Sequence, residues 1–117
     1  MSDVAYRTSY RIYEFDAQEG DALGIRAVVL PDSRKVRRDE VAAKVAKPDE
    51  EFCRQSEVIF AEDQNTWLKV TVSGVWRVRV WYPDLFDCSA SVFRVDANGH
   101  EHEPDRYTDV NLAASTA

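Results

Sequence analysis

Glycine is scarce in this chain, with 4 residues among 117. A glycine-rich phosphate cradle therefore has little to be built from. No G-x-S-x-G, H-E-x-x-H or C-x-x-C motif occurs either. Cysteine is scarcer still. Cys53 and Cys88 are the only two, too few for a disulfide framework, and free thiols suit a reducing compartment, so the expectation is cytoplasmic. Long hydrophobic runs are missing. The longest, Ala27–Leu30 and Val58–Ala61, fall far short of the roughly 20 residues that cross a bilayer as a helix. Met1–Val4 offers neither a basic nor an apolar leader segment, so a secretory signal is not expected. Cations are the minority, 15 Lys and Arg against 21 Asp and Glu, for a net charge of −6. That balance argues against nucleic acid, whose binding needs cations to displace condensed counterions. It argues equally against an anionic membrane surface.

What is present is globular: 44% hydrophobic and 31% charged residues over a length that suits one domain. Residues 5–15 alternate polar and apolar positions and predict a first strand. The polar stretch Asp16–Asp21 predicts a turn. A second strand is expected over Gly24–Leu30, stopped at Pro31. Val41, Ala42 and Val45 suggest a short helix over 39–45. A second is expected after Pro48, with Asp49, Glu50 and Glu51 on the positive end of its dipole and Phe52, Cys53, Ser56, Ile59 and Phe60 as its inward stripe. A strand over Cys88–Asp96 should fold back through Asn98-Gly99 onto Glu101–Glu103. The expected fold is α+β: about five antiparallel strands with one or two helices from residues 39–62 packed on them. Its domain spans residues 1–103, and 104–117 form a C-terminal tail.

The strongest local pattern lies in residues 66–82, two alternating runs around Ser73-Gly74, which predict a central hairpin. A two-residue turn would set Arg77 and Arg79 on the apolar face, at a cost. A three-residue tip instead pairs Val72 with Trp76, Val70 with Val78 and Leu68 with Val80. The opposite face then carries Trp67 across from Trp81, Lys69 across from Arg79, and Thr71 across from Arg77. Two indoles and three cations on one surface of an acidic protein call for an anionic and flat counterpart. That counterpart is either a partner or this chain's own Glu50, Glu57 or Glu62, with cation–π contacts sharing the task.

Other groupings have bland explanations. Arg34–Arg38 is a basic run flanked by Asp32, Asp39 and Glu40, which neutralise it locally. His100 and His102 share one side of a strand, a spacing metal sites use, but a third ligand (Asp96, Asp105 or Cys88) is not specified. Cys88 with a histidine could form a nucleophile and base, yet no orienting group is recognisable. Asp84 and Asp87 follow Pro83 as turn residues. The expected function is a non-enzymatic protein-binding module, with Trp67, Lys69, Arg77, Arg79 and Trp81 as its surface and no cofactor. It would be an inhibitor, adaptor or structural subunit of an assembly, encoded by a virus or a host alike. The alternatives are a domain binding a small anionic or aromatic ligand, and a small enzyme that uses a metal or a cysteine.

Overall fold

A computed structural model describes residues 10–29, 42–61, 67–81 and 88–110, with backbone alone for Val28, Val29, Trp81, Cys88 and Ser89. The described residues run through nine strands: β1 (Tyr10–Ala17), β2 (Ala22–Val29), β3 (Ala42–Ala46), β4 (Glu57–Phe60), β5 (Leu68–Lys69), β6 (Gly74–Trp81), β7 (Cys88–Val95), β8 (Glu101–His102) and β9 (Arg106–Val110). They form two antiparallel sheets, one ordered β4-β3-β6-β1-β9 and the other β5-β2-β7-β8. Alternation makes each sheet apolar on one side. Tyr13, Phe15, Ala43, Val45, Ile59, Trp76, Val78 and Val80 from the first meet Leu23, Ile25, Ala90 and Val92 from the second in one shared core. Phe15 and Trp76, paired across β1 and β6, are the bulkiest of its fully buried side chains.

The expected helices over 39–62 are not formed; no helix occurs among the described residues, and the fold is all-β. Residues 42–46 are a strand because Ala43 and Val45 point into the core while Lys44 points out, a period of two. Pro48 opens no helix. Glu50 N–H returns to Lys47 C=O at 3.0 Å, with Asp49 in the left-handed region at φ 66°. A second turn follows, in which Ser56 N–H donates to Cys53 C=O at 3.1 Å. Of the proposed inward stripe, Ile59 alone is buried. The segment 47–56 is thus a loop joining β3 to β4, which pair with each other.

The expected hairpin over 66–82 is also absent, because its two runs pair with other strands. Leu68 and Lys69 pair with Leu23 and Ala22 of β2, whereas Gly74–Trp81 pair with Ala17–Tyr10 of β1. Residues 18–21 and 70–73 are two corners that cross together from one sheet to the other. Gly20 N–H donates to Val70 C=O at 2.9 Å, and Val70 N–H to Asp21 C=O at 2.7 Å. Pairing resumes beyond the corner without a slip, so β1–β2 and β5–β6 make one long ribbon bent over the sandwich. Trp76 Nε1 donates to Val72 C=O at 2.8 Å, and Gly74 takes a positive φ of 148° where β6 begins. Val72 itself, expected inside, is 46% exposed.

The corner holds an inward ion pair. Asp21, 3% exposed, accepts from Gln18 N–H at 2.9 Å and from Arg94 Nη1 at 2.9 Å, tying the β1–β2 turn to β7. Of the segment read as a tail, Arg106–Val110 is β9, the outer neighbour of β1. The expected β7–β8 return is formed, with Arg94 opposite His102 and Val95 opposite Glu101. The basic run 34–38, Glu62, Asp84 and Asp87 lie outside the described residues.

Candidate functional site

The five residues expected to share one face are split between the two sheets of the sandwich. Trp67 and Lys69 belong to β5 and its approach, on the outside of the four-stranded sheet. Arg77, Arg79 and Trp81 belong to β6, in the five-stranded sheet. Trp67 therefore does not face Trp81; Trp81 is registered against Tyr10, and its side chain lies outside the described residues.

The arginines of β6 are occupied by the chain's own 47–56 loop. Arg77 Nη2 donates to the Glu50 carbonyl, and its guanidinium sits 5.1 Å from the centre of the Phe52 ring. Arg79 lies 4.8 Å from the same ring and 5.3 Å from that of Tyr10. Lys44, opposite Arg79 on β3, donates to the Cys53 carbonyl at 3.0 Å. Three cations on adjacent strands repel one another. Two backbone carbonyls and the faces of two aromatic rings offset that repulsion. Cover from within the chain, by carboxylates with cation–π contacts sharing the task, was one of the two readings of the sequence; the contacts described on this patch are ring faces and the carbonyls of Glu50 and Cys53. Next to this patch a cleft of about 360 Å³ runs between the loop and β5. Its lining holds Glu50, Glu51 and Glu57 against Lys47, the wrong sign for an anionic ligand.

The outside of the four-stranded sheet is built differently. Gly24 lies mid-strand in β2 opposite Phe93, and a Cβ there would come within 2.7 Å of Phe93 Cζ and 2.9 Å of Trp67 Nε1. The missing side chain lets both rings lie close against the strand. Trp67 meets Phe93 edge to face, with centroids 5.1 Å apart at 81°. The Arg26 guanidinium lies over the Phe93 ring, 4.6 Å from its centre, and pairs with Glu101 at 2.9 Å. Phe93 is thereby buried at 5% exposure although it lies outside the shared core. Trp67 is only half-buried, Lys69 is exposed, and neither makes a hydrogen bond or ion pair with another side chain among the described residues. The Arg26–Glu101 bond holds the Glu101 carboxyl below its ordinary range and raises the guanidinium. Alternation in the sequence marked Trp67 and Lys69; Phe93 and Gly24 were missed, since only the β2–β7 register brings them together.

The histidine hairpin has one of its suggested third ligands at hand. Asp96 Oδ2 lies 2.7 Å from His102 Nε2 and 3.8 Å from His100 Nδ1, while Oδ1 accepts from Asn98 N–H and His100 N–H. Among the described residues no three His, Cys, Asp or Glu side chains are placed to share a metal ion. Asp105 serves β1 instead, accepting from Asp16 N–H at 2.8 Å. Cys88 begins β7, and its side chain lies outside the described residues. Cys53 is a free, exposed thiol next to Ser56. Among the described residues no helix is long and apolar enough to cross a membrane.

No family model matches this chain, and neither the curated proteins nor the solved structures contain a match to it.

Proposed function

We propose that this domain is a non-enzymatic protein-binding module, an inhibitor, adaptor or accessory subunit, that holds its partner on the outer face of the four-stranded sheet. The observation that carries this reading is Trp67: a half-buried indole on an aromatic floor cleared by Gly24, its N–H without an acceptor among the described residues. Tryptophan and arginine concentrate binding energy at interfaces because they combine large apolar area with fixed polar groups. The partner suited to this face presents a flat apolar patch edged by carbonyl or carboxylate oxygens, to meet the indole N–H and the Lys69 ammonium. A small anionic ligand on Arg77 and Arg79 is less well supported, since both are already engaged by Phe52 and by the loop. The free Cys53 thiol favours the cytoplasm as the place of action.

The test is capture from a cell extract by immobilised wild-type, Trp67→Ala and Tyr107→Ala chains. Tyr107 is an exposed ring on the other sheet and serves as the control. The partner retained by the wild type and by Tyr107→Ala should be lost with Trp67→Ala, whose circular dichroism should match the wild type. Retention by Trp67→Ala, or its unfolding, would overturn the assignment.

A further inference from the structure

The tip of the β7–β8 hairpin carries a reactive pair that the proposed function leaves unused. The chain has three asparagines, Asn65, Asn98 and Asn111, and Asn98 alone precedes a glycine. Asparagine is thermolabile: its side-chain carbonyl carbon is open to attack by the backbone nitrogen of the next residue. A glycine in that next position puts no side chain in the way. Asn98 and Gly99 are both exposed, and no described atom lies within 4 Å of where a Gly99 Cβ would stand. The Asn98 side-chain amide makes no hydrogen bond among the described residues. The backbone, by contrast, is held. Gly99 N–H donates to Asp96 C=O at 2.9 Å, and Asp96 Oδ1 accepts from Asn98 N–H at 2.9 Å and from His100 N–H at 3.0 Å.

We infer that Asn98 is a site of spontaneous deamidation whose rate is set by opening of this hairpin, with Asp96 as the gate. The Gly99 nitrogen gives its proton to a solvent base and bonds to Asn98 Cγ. The Cγ–Nδ2 bond breaks, the leaving nitrogen takes a proton from water and departs as ammonia, and a cyclic imide remains. Water then adds to either imide carbonyl. Breaking the new nitrogen–Cγ bond yields aspartate; breaking the original peptide bond yields isoaspartate, with the main chain rerouted through Cβ and Cγ. Nothing is oxidised or reduced. While the turn is closed, the Gly99 N–H is held on the Asp96 carbonyl, so the reaction proceeds from locally opened molecules. Either product adds a negative charge close to Asp96. Isoaspartate also lengthens the backbone between the two N–H groups that Asp96 Oδ1 holds, so the modified turn closes less well.

The test is incubation of the full chain in mildly alkaline buffer, folded and unfolded in guanidinium chloride. Peptide mapping then separates asparagine, aspartate and isoaspartate at position 98. The folded wild type should convert at Asn98, at least about tenfold more slowly than the unfolded chain, because the turn's hydrogen bonds must open first. Folded Asp96→Ala should recover most of that difference with unchanged circular dichroism. Converted wild type, isolated by its extra charge, should exchange its amides faster at residues 100–102 than unconverted chain. Equal folded and unfolded rates, an Asp96→Ala rate no higher than the wild type's, or unchanged exchange in the converted chain would each overturn the gate. An Asn98 that stays intact in the folded chain, over times many-fold longer than the unfolded chain needs, would overturn the site itself. If Asp96→Ala does not fold, the two wild-type rates and the exchange of the converted chain decide alone.

Discussion

Gly24 occupies the middle of an interior strand, where glycine ordinarily weakens a sheet by offering nothing to pack and much backbone freedom to lose. Here its value is the absence of a side chain, since Phe93 and Trp67 fill that space. Gly24→Ala forces a methyl to within 2.7 Å of Phe93 Cζ. A shift of the Phe93 ring disturbs its contacts with both Trp67 and Arg26. The expected loss is about 1–3 kcal/mol, typical of overpacking, together with a red shift of tryptophan emission as Trp67 is displaced toward water. Chemical denaturation and fluorescence read the two effects. A Gly24→Ala variant as stable as the wild type would show that the clearance is not needed. Asp21 makes a contrasting point at the same scale. Its carboxylate is buried because Arg94 and the Gln18 N–H satisfy it, and removing one partner of such a pair leaves an uncompensated charge worth several kcal/mol.

At the scale of the element, the β7–β8 hairpin is held by carboxylates. Asp96 is pushed down to about 2, first by the hydrogen bond to His102 and then by the backbone N–H of His100. Glu101 is lowered by its bond to Arg26. A depressed folded-state pKa stabilises above the ordinary carboxylate range and is lost as pH falls through the folded value. The hairpin should therefore be intact at neutral pH and open progressively from about pH 4 to about pH 2. Amide exchange at residues 94–102 should accelerate over that window, ahead of the core strands. Asp96→Asn should show much of the acid-state exchange already at neutral pH; unchanged protection in that variant would exclude Asp96 as the clamp. This element was legible in the sequence, because Asp96, Asn98 and Gly99 act through local turn chemistry. Residues 42–60 were not. Val41, Ala42 and Val45 fit helical spacing, whereas Ala43 and Val45 fit a strand with equal economy, and the choice falls to the neighbours β6 and β4. Pro48 followed by acidic residues suits a helix start or a turn, and Asp49 at positive φ takes the turn.

The whole molecule is organised by pairings no local pattern encodes. The alternation of residues 67–81 placed Val70, Trp76, Val78 and Val80 inside, as found. Yet alternation does not name the strand opposite, and the corner at 70–73 carries Trp67 and Lys69 to one outer face and Arg77 and Arg79 to the other. Two of the five expected residues, Trp67 and Lys69, thus share one outer face, over a floor supplied by β2 and β7. The C-terminal segment was illegible for the same reason, since its polar strand is held by β1 from the far end of the chain. Arg106 bridges Glu14 and Asp16, Asp109 pairs with Arg11, and the Tyr107 ring lies 6.2 Å from that of Tyr13. A chain ending at Val110 keeps all of these contacts, whereas one ending at Pro104 loses them and uncovers the Tyr13 edge of the core. Exposing one such ring costs about 1.5–3 kcal/mol, and the lost ladder adds to it. The shorter chain should unfold at clearly lower denaturant than the chain ending at Val110. Equal midpoints for the two truncations would mean that β9 contributes nothing to stability and that residues 1–103 hold the fold by themselves.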